Sequence, residues 1–185
     1  MPRLIYQPQQ ANPQVFVDFW SGRYHYVEEY LYAENIGQDL TEQRILDLFR
    51  WKNGRRLSAR KRDSVIRNFA NRVGELAEIQ PNENARAFLN HFPEGGAIWR
   101  VFWLHCWQPA MFPIYDQHVH RAMAFIQGGE PEEIPTYDPR KIDSYIERYL
   151  PFSATFGELN ARSVDKALWS FGKFLKEASF PILLE

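Results

Sequence analysis

The chain has 185 residues, 45% of them hydrophobic and 16% aromatic, six of these tryptophan, and its formal net charge is -1. That composition excludes an intrinsically disordered chain and is enough to bury a sizeable core, so a single domain over residues 1–185 is expected. One cysteine, Cys106, excludes an intramolecular disulfide, a thiolate zinc site and an iron–sulfur cluster. A reducing cytoplasm is the expected home. Residues 1–14 are polar and punctuated by proline, with no apolar core of signal-peptide length, and no apolar run is long enough to span a bilayer. A soluble intracellular protein without a membrane partner is therefore expected.

Helical periodicity runs through the chain. Phe16, Phe19, Trp20, Tyr24, Val27, Tyr30 and Leu31 predict a helix over 15–34, with Gly22 as a point of interruption. Ile45, Leu46, Leu48 and Phe49 predict a second over 41–51, stopped by Asn53-Gly54. Ser58 carries the side chain of an N-cap, and Val65, Ile66, Phe69, Val73 and Leu76 form the apolar stripe of the helix behind it, ended at Pro81. Further helices are predicted over 83–91, 97–107, 116–127, 140–150 and 161–178. No segment shows the alternation of a half-buried strand, so the expected class is all-α.

Charge is segregated along this helical chain. Arg50, Lys52, Arg55, Arg56, Arg60, Lys61, Arg62, Arg67 and Arg72 face only Asp63 in their own stretch, a local excess of eight positive charges. Acid gathers instead over 18–47 and again over 130–133. Such a basic run is either a solvated helix face or a surface for phosphates.

Two further segments carry chemistry. In His91-Phe92-Pro93-Glu94-Gly95-Gly96-Ala97 a glycine turn joins two predicted helices. The backbone N–H groups of Gly95, Gly96 and Ala97 then stand at a helix N-terminus, where the dipole and the missing side chains suit a phosphate, although a plain connector would look the same and Glu94 opposes an anion. In Phe112-Pro113-Ile114-Tyr115-Asp116-Gln117-His118-Val119-His120-Arg121-Ala122-Met123, Pro113 cannot lie inside a helix. The helix must begin after it, which sets Asp116 at or near the cap, with its carboxylate on the first free amides.

The order of these parts resembles the core of the helix-hairpin-helix DNA glycosylase superfamily, over residues 92–123. The matching pieces are the hairpin 93–96, the helix 98–107, Pro109, and Pro113-Ile114-Tyr115-Asp116 continuing to Val119 and Arg121. The lead-in Phe112-Pro113-Ile114 is similar to that of the adenine-excising members. Ala167-Leu168-Trp169-Ser170-Phe171-Gly172 is similar to the helix that packs behind the catalytic aspartate there. The resemblance implies a compact multi-helix domain of that type, monomeric and without cofactor, bound to double-stranded DNA in the cytoplasm or, in a bacterium, on the nucleoid.

It also implies roles for residues. Asp116 would stabilise a sugar with oxocarbenium character, and the target base must leave the stack for a pocket to which Trp20 and Tyr24 are assigned. The turn Trp51-Lys52-Asn53-Gly54 takes the place of the family's duplex-entering wedge, without its glutamine. Gly95, Gly96, Ala97, Trp51, Lys52, Asn53, Arg55, Arg56, Arg60, Lys61, His118 and Arg121 are the expected DNA contacts, with a core acid as the alternative partner of Arg121 and support of the helix start as the alternative for His118. No lysine lies between Lys61 and Lys141, so the amine that forms a Schiff base in strand-cutting members is missing and Asp116 is expected to assist water. The hairpin is short for the family. No metal is expected, because Asp116 and His120 share a helix face from which His118 points away. His105 and Cys106 read as core. Two other readings stand beside the enzyme: a DNA-binding module of the same fold without catalysis, and a helical protein-interaction domain in which Asp116 is only a cap.

Overall fold

The computed structural model describes residues 12–80 and 84–177, and every regular element among them is helical. The helices are α1 (Pro13–Ser21), α2 (Glu29–Ala33), α3 (Glu42–Asn53), α4 (Ala59–Asn68), a 3-10 helix (Ala70–Glu78), α5 (Ala85–His91), α6 (Ala97–Trp107), α7 (Gln117–Gly128), α8 (Asp138–Asp143), a π-helical stretch (Ser144–Tyr149), α9 (Leu150–Ala154) and α10 (Ala161–Glu177). Their starts follow capping chemistry. The side chains of Thr41, Ser58, Asn84 and Asp116 each accept an amide of the turn that follows. No helix among the described residues is long and apolar enough to cross a membrane.

Three predicted helices are divided. The helix expected over 15–34 stops at Ser21, where Arg23 and Tyr24 donate to Trp20 and Ser21 in tightened turns, and it resumes only at Glu29. The stripe over 58–76 breaks at Phe69, whose backbone leaves the helical region at φ -130° while its ring is fully buried against Phe49 at 4.7 Å. Burial of that ring outweighs the local helix pattern, and the chain continues as a tighter 3-10 helix. The segment over 140–150 begins earlier, at Asp138, and widens to π geometry before Pro151, which has no N–H to continue an α ladder. Pro81 and the helix ends expected at 83 and 178 lie outside the described residues.

The chain folds as two compact units. In the first, made of described residues within 1–24, 116–135 and 151–185, α10 packs on both α1 and α7. Its core holds Phe16, Val17, Val119, Ala122, Met123, Val164, Leu168, Phe171 and Leu175. Phe171 meets Phe16 and Phe125 edge-on at 5.5 and 5.6 Å. At full burial each such side chain contributes roughly 1.5–3 kcal/mol, so this three-helix contact is held chiefly by apolar area.

The second unit covers 25–115 and 136–150. Here α3 meets α2, α4 and the 3-10 helix, while α6 meets α5 and α8. Phe49 is the hub: it stacks on Phe69 and takes Phe102 edge-on at 5.3 Å. His105 is buried in this core, with Nδ1 at 2.6 Å from the Phe112 carbonyl and Nε2 at 2.8 Å from the Tyr32 hydroxyl. Cys106 is also buried, and burial pushes its thiol far above the ordinary range. Both are the core residues expected.

Candidate functional site

Asp116 caps α7 from extended backbone, and its Oδ1 accepts the amides of His118 at 2.9 Å and Val119 at 3.1 Å. Asp116 is half-buried. Two bonds to one oxygen fix the plane of its carboxyl group and satisfy two amides that no helical carbonyl reaches. Pro113 lies in the irregular stretch that precedes α7, and the helix begins after it, as the sequence implied.

The start of α7 is set by α10. A Cβ built on Gly172 would fall 1.8 Å from the backbone oxygen of His118 and 2.5 Å from its carbonyl carbon. Only a residue without a side chain lets the two backbones approach so closely, so Gly172 fixes where the Asp116 cap sits within this unit. The His118 ring lies edge-on to Trp169 at 5.3 Å. Burial lowers the pKa of His118, opposed by the Asp116 charge and reinforced by those of Arg121 and Lys176.

Arg121 turns inward. It is 2% exposed, and its guanidinium donates to Glu133 at 2.6 and 3.2 Å and to the Gly172 carbonyl at 3.2 Å. Of its two expected partners it takes an acid, so the assignment of Arg121 as a DNA contact is corrected: the side chain is consumed in holding α7 to α10. Glu133 is held below the ordinary carboxylate range mainly by its bond to that arginine. His120 is 1% exposed, with Nε2 at 3.9 Å from Glu132. Among the described residues no group of three His, Cys, Asp or Glu side chains is gathered as a metal site.

Tyr24 and Trp20 part company. Tyr24 packs edge-on to Trp169 at 5.3 Å, accepts Arg162 at 3.3 Å on its hydroxyl, and lies beneath the Arg162 and Lys166 cations at 5.3 and 5.2 Å. Trp169 therefore touches both Tyr24 and His118. Trp20 packs instead on Phe171 at 5.0 Å and Phe174 at 5.3 Å, along another face of α10.

In the second unit, the hairpin has the backbone the sequence suggested. Gly95 and Gly96 take φ of 102° and 83°, a region that L side chains rarely adopt. The Ala97 amide, however, is not left to a phosphate. Ala97 is 1% exposed and donates its N–H to Asp138 Oδ2 at 3.1 Å. A carboxylate of this chain thus holds the anion position at the α6 N-terminus, and the expectation of a free Ala97 amide is corrected. Asp138 in turn takes Lys141 at 2.7 Å, the chief cause of its lowered pKa, with the Ala97 amide contributing.

The wedge turn is likewise bound internally. Trp51 is 6% exposed, its indole N–H donates to Glu29 at 3.1 Å, and its ring lies 4.5 Å from Tyr32. It is a core residue, which corrects the wedge assignment. Lys52 donates to the Tyr115 carbonyl at 3.1 Å, and Asn53 accepts Lys61 at 2.6 Å while donating to the Arg55 carbonyl at 2.8 Å. Arg55, Arg56, Arg60 and Lys61 are exposed. The local charge excess is smaller than the sequence count, because Arg50 bonds Glu28, Arg62 stands 3.9 Å from Glu42 and Arg72 bonds Glu75 at 2.6 Å. Glu75 is pulled down to about 2, first by Arg72 and then by His91.

Sequence reasoning missed Asp138 and the polar face of α10. No local signal marks Asp138, whose bond to Ala97 spans 41 residues. The α10 face is marked in the sequence only by the spacing of Arg162, Lys166, Lys173 and Lys176. The chain matches no family model, no curated protein and no solved structure.

Proposed function

We propose that the chain is a monofunctional DNA N-glycosylase of the helix-hairpin-helix type, releasing a damaged, mismatched or modified base from double-stranded DNA. The observation that carries this reading is Asp116, a carboxyl group fixed by two first-turn amides at a helix start that Gly172 of α10 packs against. A preset carboxylate suits positive charge that develops on the sugar, because it needs no reorganisation when the charge appears. The C1′–N bond breaks with its electron pair leaving on the base. Water then bonds to C1′, and the proton it loses balances the one the base gains. The exposed Arg55, Arg56, Arg60 and Lys61 supply a surface for the phosphate backbone.

The test is base release from a panel of lesion-bearing duplexes. Asp116→Asn keeps the cap and is expected to leave folding and duplex binding near wild type while release falls roughly 10³-fold. Borohydride is expected to trap no covalent adduct. Equal release by the variant, efficient trapping, or no release by the wild type across the panel would sink the reading. A second reading, a helical protein-interaction domain, is favoured by Val15, Phe19 and Phe174, which stand 63%, 49% and 44% exposed in the first unit. It predicts no salt-dependent duplex binding at all.

A further inference from the structure

Within the first unit, α10 carries a polar face made of Arg162, Lys166, Trp169, Lys173 and Lys176. At 100° per residue these five fall in an arc of about 80°. No acid of α10 shares the arc, and Glu133, which feels the Lys176 charge, is bonded to Arg121. Asp165 flanks the arc, buried and bonded to Arg162, and Glu177 stands at the other edge. The cations are interleaved with rings: Lys173 lies 5.4 Å from the centroid of Trp169, and Lys166 and Arg162 lie over Tyr24. Lys173 and Lys176 are exposed, and Lys166, Trp169 and Tyr24 are half-buried. A solvated helix face needs no aromatic between its lysines. Cations one or two turns apart, with the Trp169 π face on the turn between Lys166 and Lys173, fit a polyanion that carries flat rings, which is a nucleic-acid strand.

The face also runs past the start of α7. Trp169 touches the His118 ring, and the Lys176 charge acts on that same imidazole, two residues after Asp116. We infer that the Lys166, Lys173 and Lys176 ammonium groups hold successive phosphates of the strand bearing the target nucleotide, and that Trp169 and Tyr24 offer their rings to its bases or sugars. This rests on the reading of the chain as a protein that acts on DNA, and it adds a second strand-holding surface to the Arg55–Lys61 stretch, one in the same unit as Asp116.

The test uses the full chain and a fluorescent 20-base-pair duplex, with affinity measured by anisotropy from low to moderate salt. The triple variant Lys166→Gln, Lys173→Gln, Lys176→Gln is expected to bind roughly tenfold or more weakly at 0.1 M salt. Its plot of log affinity against log salt should be shallower by about 2.7, the value for three lost phosphate contacts. Trp169→Leu should weaken binding about tenfold with the salt slope kept, since a stacking loss releases no counterions. Circular dichroism checks that both variants fold. An unchanged affinity and slope in the triple variant overturns the inference, and so does tighter binding of the wild type to vesicles of anionic lipid than to the duplex. A wild type that binds through these lysines yet releases no base supports the surface and removes the glycosylase reading instead.

Discussion

Two glycines, Gly172 of α10 and Gly96 of the hairpin, are required for different reasons. Gly172 has ordinary helical backbone and no room: the His118 carbonyl fills the space where a Cβ would be. Gly96 has room, with only Asp138 at 3.8 Å, but an unusual φ of 83°. The first glycine is needed for packing between elements, the second for the path of a single turn. Packing against a rigid backbone cannot be relieved by a rotamer change, whereas strain in one turn is bounded by the dihedral energy of one residue.

The comparison ranks the consequences of adding one methyl group. Gly172→Ala must drive α10 away from the α7 start, at a cost of about 3 kcal/mol or more, and the melting temperature should fall by roughly 6–12 °C. On the proposed glycosylase reading, base release should fall with it, because the cap of Asp116 moves. Gly96→Ala should cost about 1–3 kcal/mol of strain confined to its own turn, and on the proposed glycosylase reading release from a saturating duplex is expected to survive. Thermal melts with release assays on both variants decide the order, and a Gly96→Ala protein that melts below Gly172→Ala reverses it. Asp138→Asn should be milder still, a few tenths of a kcal/mol, since the side chain is nearly half exposed and solvent screens it. Its carboxyl pKa is lowered in the fold, so its contribution is present above about pH 4 and is lost as pH falls through the lower folded value. The variant should flatten stability over that acid range. If the hairpin takes a phosphate, removing the resident charge should also tighten duplex binding a few-fold.

What the sequence revealed followed from local chemistry. The caps at Ser58 and Asp116 were readable because a short polar side chain before an apolar stripe acts on the next turn. The hairpin turn was readable because paired glycines tolerate the positive φ that a tight turn can require. The breaks at Ser21 and Phe69 were not, since the apolar pattern continues across them and burial of Phe69 decides the second. Partners distant in sequence were equally hidden: Asp138 for Ala97, Glu29 for Trp51, Glu133 for Arg121. Each turned an expected DNA contact into an internal one. A basic or aromatic residue signals capacity for a phosphate or a base, but only the fold shows whether that capacity is already used.

The smallest effect bears on the same α7–α10 contact from its polar side. Burial lowers the His118 pKa below its usual 6.5, so the folded state binds this proton less readily than the unfolded chain. The neutral ring is therefore stabilising above pH 6.5, and that contribution is lost as pH falls from there toward the lower folded value. Asp116 and the Gly172 carbonyl oppose the shift, while Arg121 and Lys176 deepen it. Chemical denaturation of the wild type should accordingly show stability declining below pH 6.5, and His118→Gln, which cannot titrate, should lose that part of the slope. Removing Lys176 should raise the His118 pKa and narrow the window, readable by NMR titration of the ring. A ring that titrates at or above 6.5 in the folded wild type would mean that the α10 contact does not bury it, and that Gly172 sets the backbone of the α7 start without shaping the electrostatics around Asp116.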